Sequence, residues 1–147
     1  FFHILFISFY VNYCFAVTAF GYVDAATETR LQGWACNANV NSPANIHVYF
    51  NGPAGSGAYM FNFGSATTNR GDVHNVIGAR CACTSTSACP RGFNFNWRDR
   101  LPLSKRREYN GKTVTIYAYG VCTVPPCKNE LLKTSPRTVK FPTNLCA

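Results

Sequence analysis

Charged side chains are scarce in this sequence of 147 residues, and acidic ones are the scarcest. Asp and Glu number 6 against 14 Lys and Arg, and charged residues make up 14% of the chain, well below the roughly 25% of an average soluble domain. Disordered chains combine low hydrophobicity with high charge, whereas 47% of this chain is hydrophobic and 15% is aromatic. The composition therefore predicts one folded domain with a substantial core.

Sequence motifs that carry catalysis are missing as well. No G-x-S-x-G elbow and no H-E-x-x-H pair occurs, and no two carboxylates are placed for glycoside hydrolysis. After residue 19 the sequence contains two histidines, His47 and His74, and a cysteine nucleophile would need a reducing environment. We expect a protein that is not an enzyme and that needs neither a cofactor nor a metal ion.

The net charge of +8 bears on the choice of partner, because a basic surface attracts nucleic acid, acidic polysaccharide and anionic membranes. The basic residues are spread along the chain, apart from the run at 105–107. Neither a basic helix nor an aromatic-basic RNA motif occurs, which disfavours nucleic acid. A host-defence role on anionic membranes is a minor alternative, and the charge has a simpler explanation in solubility.

Residues 1–19 contain no Lys, Arg, Asp or Glu and have the pattern of a targeting segment. An apolar stretch is followed by small residues at Val17 and Ala19, the two positions that a signal peptidase inspects. The segment is also just long enough to cross a bilayer, although Asn12 is costly in hydrocarbon, and a buried strand or helix is a further alternative. We expect a signal peptide over 1–19 and a secreted domain over 20–147.

Cysteines are frequent, and disulfides are their expected use. The 8 cysteines are Cys14, Cys36, Cys81, Cys83, Cys89, Cys122, Cys127 and Cys146. With Cys14 in the signal peptide, the mature chain keeps an odd number, at a density typical of an oxidising compartment. Zinc is the weaker interpretation, because the paired C-x2-C knuckles of structural zinc sites are absent.

Two short segments flanked by cysteines predict local disulfides. Cys122 and Cys127 enclose Thr-Val-Pro-Pro, and Cys83 and Cys89 enclose Thr-Ser-Thr-Ser-Ala. The pairing of the others cannot be read from the sequence, and the one next to the C-terminus is the natural candidate for a disulfide between two chains. These remaining cysteines are Cys36, Cys81 and Cys146.

Alternation of apolar and polar residues predicts about seven short strands. The clearest strands are 45–50 and 112–119, the second of which follows the turn signal Asn110-Gly111. The other predicted strands are 22–23, 30–36, 59–63, 93–97 and 137–141. Only 67–79 has the pattern of a helix, and Gly and Pro fall between the strands. The pattern predicts a single all-β domain, a disulfide-stabilised β-sandwich.

Several short motifs follow one another in a fixed order between residues 21 and 142. They are Gly21-Tyr22-Val23-Asp24, Gly33-Trp34-Ala35-Cys36, IHVYFNGPAGSG at 46–57, Arg70-Gly71-Asp72-Val73, Arg91-Gly92-Phe93, GKTVTIY at 111–117 and LLKTSP at 131–136. This order resembles the β-sandwich accessory module, with GWAC followed by IHVYxxGPAGSG, of secreted and mostly bacterial multidomain proteins. The resemblance implies a non-catalytic module that binds glycans or cell surfaces. The cysteine-rich insertion at 81–90 and a chain that stands alone behind its own leader depart from that pattern, which leaves binding or assembly.

Aromatic side chains are the candidate ligand-binding residues, since aromatic rings suit the apolar faces of sugar rings. Tyr49, Tyr117 and Tyr119 occupy odd-numbered strand positions and form either a binding row or simply the outer surface of a sheet. Trp97 precedes three charged residues and is expected to be partly exposed. Trp34 is expected in the core beside a disulfide.

Arg70-Gly71-Asp72 spells the integrin-binding tripeptide, and two interpretations stay open. Arg70 and Asp72 are either adhesion residues or structural ones. In the structural case Asp72 caps the short helix and Arg70 pairs with a carboxylate or a carbonyl.

These observations favour a lectin-like binding protein for extracellular or cell-surface glycans. The alternative is a structural subunit of an extracellular matrix, coat or filament that self-associates through Cys146. The odd number of cysteines, the low charge and the many aromatic residues favour this alternative.

Overall fold

The computed structural model describes residues 16–147, which form ten strands and three short helices. The strands are β1 (Val17–Ala26), β2 (Arg30–Asn37), β3 (Asn45–Phe50), β4 (Tyr59–Ser65), β5 (Thr68–Asn69), β6 (Pro90–Asn96), β7 (Thr113–Val121), β8 (Cys127–Lys128), β9 (Glu130–Leu131) and β10 (Arg137–Lys140). The helices are α1 (Gly71–Ile77), α2 (Trp97–Arg100) and α3 (Leu103–Tyr109). Residues 1–15 of the expected signal peptide lie outside the described range, and its expected boundary after Ala19 falls within β1.

Two sheets face each other, which confirms the predicted disulfide-stabilised β-sandwich. The first sheet has the order β5-β6-β2-β1-β8 and the second has the order β10-β7-β3-β4, with β9 pairing with β7. Within the described range the pairings between these strands are antiparallel, except that Val17 and Thr18 of β1 run parallel to β8.

The core lies between the sheets because the strands alternate inward and outward side chains. Ile46 and Val48 of β3 and Ile116 of β7 are completely buried, while the residues between them are partly exposed. Burying one such side chain contributes about 1.5–3 kcal/mol.

No helix in residues 16–147 is long and apolar enough to span a membrane.

One long side of the sandwich is closed by the segment that follows β9. Lys133 donates its backbone N–H to Gly21 O and accepts from Val23 N, both at 3.0 Å, and Leu132 N donates to Ala118 O at 2.9 Å. The segment therefore pairs with β1 of the first sheet and with β7 of the second.

Several predicted boundaries differ from the structure, and the helices α2 and α3 lie outside the one segment that was predicted to be helical. The strand predicted over 22–23 continues to Ala26 in β1, where Asp24 is the extra residue of a bulge opposite β2. The strand predicted over 93–97 ends at Asn96, whose side-chain oxygen accepts from Arg98 N at 2.9 Å and caps α2. Neither α2 nor α3 was predicted, and α2, with four residues, is too short to show a helical period.

Three disulfides lie within the described residues: Cys36–Cys81, Cys83–Cys89 and Cys122–Cys127. Both predicted local bridges are confirmed. The third, which the sequence left open, ties β2 to the loop after α1 across 45 residues of chain. Among the described cysteines Cys146 is free and partly exposed.

Trp34 lies outside the sandwich core, contrary to the prediction. Alternation along β2 directs Leu31 and Ala35 into the core and turns Trp34 toward the opposite face of the sheet. There Trp34 packs against a second cluster built from Val73 of α1 and three disulfide cysteines, and it meets Phe20 edge to face at 5.8 Å. The predicted proximity to a disulfide therefore holds on the outer side of the first sheet.

A buried arginine holds the cysteine-rich loop in place. Arg91 is 1% exposed, and its guanidinium donates to Cys81 O at 3.2 Å, to Pro90 O at 2.8 Å and to Asn41 Oδ1 at 2.7 Å. These bonds satisfy much of a charge that is costly to bury, and they join the loop to the turn between β2 and β3.

Candidate ligand-binding face

The outer face of the second sheet carries a row of partly buried aromatic side chains. In the pairing of β3 with β7, Tyr49 lies opposite Tyr117 and His47 lies opposite Tyr119. Since side chains alternate along a strand, all four point away from the core. The structure therefore brings the predicted tyrosines together, and we call His47, Tyr49, Tyr117 and Tyr119 the tyrosine face.

Two of these tyrosines hold each other in position. The rings of Tyr49 and Tyr119 meet edge to face, with centroids 5.4 Å apart and an angle of 75°, an arrangement worth about 0.5–1.5 kcal/mol. The hydroxyl oxygen of Tyr119 also accepts from Ala54 N at 3.3 Å. Because a phenol can donate and accept at once, the Tyr119 hydroxyl keeps its proton available to a ligand.

Ala54 belongs to the loop 51–58 between β3 and β4, whose shape the sequence dictates. Asn51, Gly55 and Gly57 have φ angles of 61°, 84° and 82°, a region in which glycine and asparagine are tolerated far better than other residues. Ser56 Oγ donates to Pro53 O at 2.6 Å. The loop therefore has a defined path that places Ala54 beside Tyr119.

A cleft of about 220 Å³ opens on this face. Its lining residues are His47, Tyr49, Ala54, Tyr119, Val121 and Asn129. Asn129 Oδ1 accepts from Cys122 N at 3.0 Å, so its amide group is oriented and its two N–H donors are available. Burial lowers the pKa of His47, which keeps the imidazole neutral at pH 7 with one donor and one acceptor.

Trp97 is absent from this face, and the prediction that it is partly exposed is wrong. The indole is 0% exposed in the sandwich core, where its Nε1 donates to Thr27 O at 2.8 Å. The chain turns into α2 at Trp97, so the charged residues that follow reach solvent while the indole stays inside. The strict alternation of Phe93, Phe95 and Trp97 was the signal for burial, since all three lie in the core.

Arg70 and Asp72 lie at the start of α1, beside the first sheet and away from the tyrosine face. Arg70 Nη1 contacts Asp24 Oδ2, and its Nη2 contacts Asp72 Oδ2, both at 2.6 Å. Nη1 also donates to Gly33 O at 3.2 Å. The hydrogen bond from Arg70 lowers the pKa of Asp72 to about 2.

This ion-pair cluster matches the structural interpretation of the tripeptide in one respect and corrects it in another. Arg70 pairs with carboxylates and with a carbonyl, as that interpretation predicted. Asp72, however, is not the N-cap residue of α1, because Arg70 occupies that position without a side-chain cap and Asp72 lies in the first turn of the helix. The cluster ties α1 to β1 and β2.

A second cleft, of about 490 Å³, lies at one end of the sandwich and was not predicted. Its lining residues are Glu28, Thr29, Asn96, Arg98, Asp99, Pro142, Asn144 and Leu145. They come from three segments that are distant in sequence, so no local sequence pattern predicts the cleft. Arg98 Nη2 donates to Asn144 O at 2.7 Å, which fixes the C-terminal wall.

Residues 16–147 contain no group of three or more His, Cys, Asp or Glu placed to hold a metal ion. Comparison with known proteins finds no family model, curated protein or solved structure that matches this chain.

Proposed function

We propose that the protein is a secreted, non-enzymatic, lectin-like protein that binds extracellular or cell-surface glycans on the tyrosine face. The observation that carries the proposal is the cleft in which Tyr49 and Tyr119 meet edge to face beside Ala54. Ligand sites combine apolar and aromatic walls with a few placed polar groups. A sugar ring needs this combination, since it has apolar faces and a rim of hydroxyls.

The cleft is also organised before a ligand arrives. Tyr119 is held by Tyr49 and by the backbone of the loop 51–58, and Asn129 is held by the backbone of Cys122. A site that is ordered in advance loses less conformational entropy on binding. This rigidity favours recognition over a purely structural role for the tyrosines.

Three disulfides support the extracellular part of the proposal, because such bonds persist in oxidising compartments. The targeting pattern of residues 1–19 and the resemblance to a secreted accessory module agree with it.

Binding to a panel of neutral and acidic polysaccharides, at low and high salt, tests the proposal. We expect a neutral polysaccharide to bind at both salt concentrations, and Tyr49→Ala or Tyr119→Ala to weaken that binding about tenfold, the effect of 1.4 kcal/mol. Tyr22→Ala is the matched control, because Tyr22 is a tyrosine of the first sheet with 37% of its surface exposed.

Two outcomes would overturn the proposal. Binding only to acidic polymers, lost with salt and equal in all variants, would assign the interaction to the net charge of +8. The second is an absence of binding to every polysaccharide. That result would favour the structural subunit, for which the free and partly exposed Cys146 is the supporting observation.

A further inference from the structure

The lining of the cleft on the tyrosine face carries no formal charge, although the chain as a whole has a net charge of +8. None of its six residues is Lys, Arg, Asp or Glu. An anionic sugar bound here would lose part of its hydration without gaining a cationic partner, which is costly. The lining therefore selects against the acidic glycans that the net charge attracts over a distance.

The size of the cleft limits what it can hold. Its volume of about 220 Å³ lies below the roughly 300–1,000 Å³ of sites for drug-sized ligands. Ala54 from the loop 51–58 borders it on one side, and Val121 and Asn129 border it on another. The cleft therefore suits one sugar ring better than a segment of extended chain.

The polar groups around the cleft are those that sugar hydroxyls need. The Tyr119 hydroxyl and the Asn129 amide have donors available, and the neutral imidazole of His47 offers one donor and one acceptor. The edge-to-face pair leaves aromatic surface of Tyr49 and Tyr119 for the apolar face of a ring.

We propose that the cleft binds a single neutral sugar residue at the end of a glycan chain. The ring packs against Tyr49 and Tyr119, and its hydroxyls bond to His47, Asn129 and the Tyr119 hydroxyl. This inference rests on the proposed function and deepens it, because it names the ligand's charge and the part of the glycan that is recognised.

A length series separates recognition of chain ends from recognition of chain interiors. One neutral polysaccharide that binds is cut to decreasing lengths, and the fragments compete with the intact polymer at equal mass. If ends are recognised, inhibition at equal mass grows with the molar number of ends.

Competition by free monosaccharides tests the charge of the ligand. Three sugars with the same ring are compared: a neutral hexose, its uronic acid and its amino sugar. We expect the neutral hexose to compete about tenfold better than the two charged forms.

A charge placed in the cleft tests directly whether the uncharged lining selects neutral over acidic sugars. Val121→Lys adds a cation to the lining, and Val121→Gln is the uncharged control of similar length. We expect Val121→Lys to improve competition by the uronic acid about tenfold and Val121→Gln to leave it unchanged.

The failure of this inference is distinguishable from failure of the proposed function. In one outcome the polysaccharide binds and Tyr49→Ala weakens that binding, but inhibition by the fragments depends on their mass alone and free monosaccharides do not compete. The proposed function then stands, and the inference that a chain end is recognised is wrong. Equal competition by the neutral and acidic forms at high salt would overturn the inferred neutrality. If Tyr49→Ala and Tyr119→Ala both bind like the wild type, the tyrosine face is not the site and both proposals fall.

Discussion

Replacing Trp97 by phenylalanine tests whether the indole serves the core or a ligand. The rings of Phe50, Phe63 and Phe141 surround it, with centroids between 5.5 and 6.3 Å away. Phenylalanine fills only part of the space of the indole. It also lacks the Nε1 donor, so the carbonyl oxygen of Thr27 loses its 2.8 Å hydrogen bond.

Both losses lower the free energy of unfolding. Thr27 is exposed, so its carbonyl oxygen can bond to water instead and the lost hydrogen bond costs about 0.5–1.5 kcal/mol. The space left empty costs about 24 cal/mol per Å³ on top of the lost burial. We expect Trp97→Phe to lose about 2–4 kcal/mol in total, within the range of mutations that leave a cavity. For a domain of this size the melting temperature then falls by about 10 °C.

Urea unfolding with the disulfides intact measures this loss as a shift of the midpoint at an unchanged slope. Tyr49→Phe is the control, because it removes only a partly exposed hydroxyl and is expected to change stability by less than about 0.5 kcal/mol. The folded Trp97→Phe protein should bind glycans like the wild type. Wild-type stability, or a folded variant that no longer binds glycans, would refute the reasoning and return Trp97 to the binding site.

An ion pair, a long-range crosslink and a free thiol allow three further tests. Arg70 lowers the pKa of Asp72 from 3.8 to about 2, so the stabilisation is complete above about pH 4 and is lost as the pH falls through 2. Acid unfolding should show that the wild type is more stable than Asp72→Asn at neutral pH and that this difference disappears at low pH. Because Asp72 is exposed, we expect the difference in the free energy of unfolding to stay below about 1 kcal/mol. A difference independent of pH would contradict this. Replacing both cysteines of Cys36–Cys81 by alanine should cost about 4 kcal/mol in urea unfolding, because the bridge closes a loop of 45 residues, and an unchanged midpoint would be inconsistent with that role. On a non-reducing gel we expect a dimer that Cys146→Ser abolishes, and a dimer in the variant would exclude this thiol.

The fold could largely be predicted from the sequence, because a strand with one buried face needs a period of two. The predicted strand 45–50 coincides with β3, and the strand predicted over 112–119 overlaps β7. The bulge at Asp24 could not be predicted, since it depends on the register against β2. The partner of Cys36 depends on how α1 folds over the first sheet, which no local pattern encodes.

The candidate site could be predicted only in part. Tyr117 and Tyr119 are two positions apart and therefore lie on the same face of β7. The pairing of β3 with β7 then places Tyr49 beside them. Ala54 and Asn129 were missed because they enter the cleft from loops. Trp97 was predicted to be partly exposed because charged residues follow it, whereas its alternation with Phe93 and Phe95 places it in the core.

The parallel pairing of β1 with β8 links the start of β1 to one wall of the cleft on the tyrosine face. Val17 donates its backbone N–H to Pro126 O at 3.1 Å, and β8 leads directly to Asn129 in the wall of the cleft. Maturation by a cut after Ala19 would leave β8 without its partner strand. The Cys122–Cys127 bridge and the Asn129 hydrogen bond would then have to hold this wall. A precursor and its matured form would therefore share every tyrosine of the tyrosine face and still differ in how firmly the Asn129 wall of the cleft is held.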